Sequence, residues 1–133
     1  MSENLDLVRS IFVAWERGDL GETDWADPEI EHAFADGPNP GSFTGMAAMA
    51  EGWREFLGAW ENYGVVADEY RELDDERVLV LHHRTGRGKA SGMELGEMWT
   101  GGANVLHVHD GKVTKMVIYF DRDRALADLG VKD

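Results

Sequence analysis

The sequence predicts an α+β domain, with helices concentrated in the first half of the chain and an antiparallel sheet in the second. Two observations carry this. Before residue 64, two stretches repeat apolar residues at three- and four-residue spacing, the period of helices that bury one face. From Val65 onward the texture changes to short runs of Val, Leu, Ile and aromatics bounded by Asp and Gly, as in paired strands. Helices first and strands afterwards, without regular alternation, indicate α+β. The 133 residues fall near the usual size of one domain, about 100 to 150 residues, so residues 1–133 are read as a single unit.

The first helix is expected from Glu3 to Arg17, because Leu5, Val8, Phe12 and Trp15 form one stripe with Ile11 beside them. Glu3 and Asp6 suit its N-terminal end, Arg17 its C-terminal end, and Gly18 a left-handed cap. A short helical turn is expected at Asp19 to Glu22. After Asp27-Pro28, Glu29 to Phe34 reads as a short strand, and Ala35 to Ser42, with Pro38 and Pro40, as a loop. Thr44 is the expected N-cap of a second long helix, in which Met46, Met49, Trp53, Phe56, Leu57 and Trp60 repeat until Gly64. Strands follow at Val65–Leu73, Arg77–Thr85, Glu94–Thr100, Ala103–His109 and Lys112–Phe120. Asp74-Asp75 and Asp110-Gly111 mark tight turns; the second is a strong hairpin signal because both residues tolerate positive φ. A closing helix, Arg122–Leu129, lies between Asp121 and Gly130 as caps.

With 13 basic and 26 acidic residues the formal charge is −13. Such a surface repels phosphate backbones and anionic headgroups, so neither nucleic acid nor membrane is an expected partner. The absence of cysteine excludes disulfides, thiolate zinc sites and cysteine nucleophiles. No run approaches the roughly 20 apolar residues that span a bilayer, and Met1 to Asp6 carries acids where a secretory leader is basic. A cytoplasmic location is expected.

Several stretches carry a family resemblance: Trp15-Glu16-Arg17-Gly18-Asp19-Leu20, Trp25-Ala26-Asp27-Pro28-Glu29-Ile30, Gly86 to Gly92, Asp110-Gly111-Lys112-Val113, Tyr119-Phe120-Asp121-Arg122 and Ala125-Leu126. With the element order they resemble, over nearly the whole chain, the SnoaL-like branch of the nuclear-transport-factor-2-like superfamily. The resemblance implies a cone-shaped curved sheet wrapped around about three helices, an apolar pocket between them, and a homodimer through the outer sheet face. It does not imply one reaction, since the superfamily includes ketosteroid isomerases, epoxide hydrolases and polyketide cyclases.

Matched to ketosteroid isomerases, the tyrosine, base and acid positions hold Ile11, Ala33 and Ala103. The polar set of limonene-epoxide-hydrolase-like proteins is likewise replaced: His82 stands for the arginine, Arg84 and Ile118 for the acids, Glu31 and Ala33 for the water-holding residues. The resemblance places Met116, Ile118 and Phe120 on the pocket wall. A regular two-residue turn at Asp110-Gly111 pairs His107 with Thr114, Val105 with Met116 and Ala103 with Ile118, which adds Ala103, Val105 and His107 to that wall. Trp15 and Phe56 complete the expected lining.

The polar set left on the presumed pocket side is Glu31, His82 and Arg84, with His107 as a candidate fourth member. One reading makes His82 a proton carrier and Arg84 the neutraliser of an oxyanion, acting with Glu31 on a small apolar or aromatic metabolite. The other is a structural Glu31–Arg84 ion pair with a satisfied His82, in a non-catalytic binding or dimeric interaction module whose pocket is filled by its own side chains. His82 and His83 point to opposite faces and cannot chelate together. His107 and His109 share a face, with Glu97 a possible third ligand, but a solvated pair is expected; neither a metal nor another cofactor is predicted. Ser91 lacks a nucleophile elbow, and Gly86-Arg87-Gly88-Lys89 reads as a hairpin loop rather than a phosphate cradle.

Overall fold

The computed structural model describes residues 3–17, 24–36, 41–58, 60–88 and 101–130. Helix α1 (Glu3–Glu16) starts with Glu3 and Asp6 in its first turn and buries Val8, Ile11, Phe12 and Trp15 along one stripe. Then come β1 (Ala26–Phe34), β2 (Gly41–Thr44), α2 (Met46–Leu57), β3 (Trp60–Glu72), β4 (Arg77–Gly88), β5 (Gly102–His109), β6 (Lys112–Tyr119) and α3 (Arg122–Leu129). The turn expected at Asp19–Glu22 and the strand expected at Glu94–Thr100 lie outside the described residues. No helix among the described residues is long and apolar enough to cross a membrane.

Several boundaries differ from the sequence expectation. Strand β1 starts at Ala26 rather than Glu29, and Gly41 and Ser42, expected in a loop, pair with Phe34 and Ala33 in β2. Helix α2 stops at Leu57, and Trp60, expected on its stripe, opens β3 by pairing with Gly88. Thr44 pairs with Glu31 as part of β2 instead of capping α2; the Gly45 carbonyl accepts the Met49 N–H at 3.0 Å. Gly86, Arg87 and Gly88 continue β4 rather than forming a loop. In each case ladder pairing supplies backbone hydrogen bonds that local propensity alone does not anticipate. The closing helix is capped as expected: the Asp121 carboxylate accepts from the backbone N–H of Asp123 and Arg124, and Gly130 adopts the left-handed conformation.

Among the described residues six strands form one sheet in the order β2-β1-β6-β5-β4-β3. Neighbours run antiparallel except β1 and β6, which are parallel. Helices α1 and α2 cover one face, where Phe12, Ile30, Met49, Leu106 and Met116 are fully buried. Helix α3 packs on the other, its Ala125 and Leu126 against Leu79, Leu81, Val105 and Tyr119. The face covered by α1 and α2 is called the inner one and the face that carries α3 the outer one.

Candidate functional site

The β5–β6 hairpin decides which side chains reach the inner face. Asp110 (φ 50°) and Gly111 (φ 75°) form the predicted turn, and His109 pairs with Lys112. Val108 then pairs with Val113, but His107 pairs with Lys115, so Thr114 is an extra residue in β6. Such a bulge moves every later pair by one position, which exchanges the faces presented. Met116 therefore stands beside Leu106 and Ile118 beside Asn104 on the inner face, while Ala103, Val105 and His107 pair with Tyr119, Val117 and Lys115 on the outer face.

On the inner face a row of polar and polarisable groups crosses three neighbouring strands and continues onto a fourth. The His82 ring on β4 meets the Asn104 side-chain oxygen on β5 at 2.9 Å. An amide oxygen only accepts, so His82 Nε2 carries the hydrogen and donates it, which leaves Nδ1 as the basic atom of the neutral ring. The Asn104 amide nitrogen in turn donates to Met116 Sδ on β6 at 3.7 Å. Met116 is paired with His32 on β1. His82 and His32 are both fully buried, and Asn104 nearly so. Phe12 of α1 lies over His82 with ring centroids 6.0 Å apart.

His32 sits in an aromatic setting: Phe34 meets it edge-on at 5.1 Å and Phe43 stacks at 6.4 Å. Burial pushes its pKa from 6.5 down to about 4, so the ring is neutral at pH 7. The described polar groups of this row are thus an amide and two imidazoles, that of His32 neutral, without a carboxylate among them. Asn104 fixes the tautomer and orientation of His82 but offers no charge to an imidazolium. A ligand that passes a proton to Nδ1 must supply the compensating negative charge itself.

No family model matches the chain, and no curated protein matches it. Solved structures do. An NTF2-like protein of unknown function from Burkholderia pseudomallei superimposes with TM-score 0.74 at 20% identity, over 96% of this chain and 97% of that one. TerC, co-crystallised with polyporic acid, gives TM-score 0.70 at 20% identity, over 96% and 98%. A proposed polyketide cyclase from Sinorhizobium meliloti gives 0.62 at 21% identity, over 85% and 93%. The fold is the NTF2-like cone.

Within the cone, the residues predicted from sequence divide between the two faces. Ile11, Trp15, Met116, Ile118 and Phe120 belong to the buried core on the inner side, and His82 joins them. Glu31 does not: it pairs with Lys115, and its carboxylate lies 3.6 Å from the Lys115 ammonium on the outer face, half exposed. Ala33 pairs with Val117 and takes the same side. Ala103, Val105 and His107 are on the outer face through the Thr114 bulge, which corrects the regular-hairpin pairing. Arg84 occupies the register position opposite Val65; its side chain and that of Phe56 lie outside the described residues. The expected convergence of Glu31 with His82 fails because the sheet separates them.

His32 and Asn104 are the inner-face residues that sequence reasoning missed. The signal for His32 was present, since Ile30, His32 and Phe34 alternate with Glu29, Glu31 and Ala33, and period-two alternation puts the apolar set inward. Asn104 carried no comparable signal: with a regular hairpin it falls on the outer face.

At the far end of the outer face an open hollow of about 450 Å³ is lined by Asp74, Asp75, Glu76, Arg77 and His107. Asp74 is occupied there, accepting from the backbone N–H of Glu76 and Arg77 and from the Arg77 guanidinium at 2.8 Å. These contacts hold its carboxyl below the usual carboxylate range. Burial, aided by Lys115 and Arg77, lowers the pKa of His107. His109 approaches Glu76 and Asp110, and no group of three metal-ligating side chains occurs among the described residues.

Proposed function

We propose that the chain is a SnoaL-like protein that binds a small apolar or aromatic molecule against the inner face of its sheet, with His82 as the group that accepts a proton from it. The observation that carries this reading is the buried His82–Asn104 hydrogen bond, which holds one tautomer with Nδ1 as the base. In the step envisaged, the electron pair of Nδ1 takes a proton from the ligand, the ligand keeps the bonding pair as an anion, and imidazolium and anion balance one another. Arg84, two residues further along β4, is retained on sequence grounds as the group that steadies the anion. Similarity in fold to TerC makes polyporic acid a suitable first probe.

Titration of the full chain with polyporic acid, followed by ¹⁵N NMR of the histidine rings, tests the reading. Saturable binding that shifts the His82 ring, weakened about tenfold in His82→Ala and unaltered in His109→Ala, is the expected result; one net hydrogen bond is worth about that factor. Binding that leaves the His82 ring unmoved, or no binding, overturns it. The latter outcome favours the second reading, a non-catalytic module whose inner face is simply core, for which the complete burial of His82 and the Phe12 ring above it speak.

We also propose that two copies pair through the part of the outer face that α3 leaves uncovered, where half-buried Ala33 and Val117 adjoin the Glu31–Lys115 pair. Lys115→Glu places like charges there. Equilibrium sedimentation should return two chains for the unaltered protein and one for the variant; a single-chain mass for both ends this proposal.

A further inference from the structure

The strand that carries His82 is held from behind by an assembly on the outer face. The β3–β4 ladder slips once in this region: Ala67 pairs with His82 and Glu69 with Leu81, so Asp68 is an extra, bulged residue. Bulges re-aim one side chain away from the regular alternation. Here the Asp68 carboxylate accepts from His83 Nδ1 at 2.9 Å through one oxygen and from Arg122 Nη2 at 2.8 Å through the other. The same Arg122 nitrogen donates to the backbone carbonyl of His82 at 2.9 Å.

Arg122 is seated as well as bonded. Its backbone N–H donates to the Gly101 carbonyl at 3.1 Å. Its side chain lies against Gly101, where a Cβ would stand 3.0 Å from Nε and 3.1 Å from Cζ. A Cβ at 101 therefore requires the guanidinium or the strand to give by a few tenths of an ångström. The described β4–β5 ladder ends at His82 and Gly102, so Arg122 reinforces β4 at the point where that ladder stops. As the first residue of α3, Arg122 also places a cation at the positive end of a helix, an unfavourable position. Its contacts to β3 and β4 are what that placement serves.

We propose that Arg122 is a positioning residue for His82: anchored by the bulged Asp68 and seated on Gly101, it fixes the His82 peptide from outside so that the imidazole meets Asn104 inside. The functional consequence rests on the proposed role of His82; the positioning does not. One guanidinium thus ties β3, β4, the start of β5 and α3 to the placement of a single ring on the opposite face.

The test reads the His82 ring in the ligand-free full chain. Arg122→Gln should speed solvent exchange of the Nε2 hydrogen about tenfold and shift the ring ¹⁵N signals, as expected when one charge-assisted hydrogen bond is lost. Arg122→Lys, which keeps a cationic donor, should recover part of the protection. Gly101→Ala and Asp68→Asn should act in the same direction, and they carry the test if Arg122→Gln does not fold. A lower melting temperature with unchanged His82 exchange and ring signals makes Arg122 only an anchor for α3 and overturns the proposal. Because these readouts need no ligand, a failure of polyporic acid to engage His82 removes the functional reading while leaving the positioning result to stand or fall separately.

Discussion

The two faces of the sheet hold histidines of opposite character. His32 and His82 on the inner face are fully buried, one against aromatic rings and the other on an amide. His83 and His109 on the outer face are substantially exposed and pair with carboxylates, Asp68 and the Glu76–Asp110 pair respectively. His82 and His83 are sequence neighbours, yet the pleat sends them to different surroundings. A strand residue's chemistry is therefore set by which face it takes, and in β6 that choice is made by one inserted residue.

Deletions in β6 test this most severely. Removing Thr114 takes out the bulged residue and leaves Met116 beside Leu106, so the variant should keep a cooperative thermal transition. Removing Val117 shifts everything beyond it by one position, turning Ile118 outward and Tyr119 inward, and should leave no cooperative transition. If both deletions behave alike, the bulge is not what sets the faces.

A smaller effect comes from His32. The unfolded ring holds its proton up to the ordinary pKa of 6.5, whereas the folded ring yields it until about pH 4. Between these values the unfolded state binds more protons, so stability present above pH 6.5 is withdrawn as the pH falls toward 4, by about 3 kcal/mol. His107, lowered as well, adds a slope of the same sign from the outer face. Denaturant unfolding of His32→Phe across this window should lose most of the acid dependence, and an unchanged slope would place the linkage outside the inner face.

Much of the fold was legible because its signals are local. The Leu5, Val8, Phe12 and Trp15 stripe, the Asp110-Gly111 turn and the Asp121 and Gly130 caps each follow from a few adjacent residues. What escaped was decided by pairing across the chain. Trp60 fits a helix stripe as well as a strand, and β2 is too short and too exposed to show alternation. The site was less legible for the same reason. His82 does lie on the inner face, but matching to related enzymes puts Glu31 and Ala33 inward as well, against the alternation of Ile30, His32 and Phe34. Asn104 could not be found without knowing that Thr114 bulges.

The bulge at Asp68 has a consequence for solubility too. Among the described residues β3 is an edge of the sheet, 13 residues long, and a regular edge of that length offers another copy of the chain a template for adding backbone as a further strand. Asp68 breaks the hydrogen-bonding rhythm of this edge, and Glu72 exposes a carboxylate along it, while the carboxylates of Asp68 and Glu69 are held by Arg122 and Arg71. A second strand approaching β3 would meet a misregister at Asp68, with the Arg122 and His83 side chains already engaged there, so the residue that braces β4 also makes this edge a poor template for ordered aggregation.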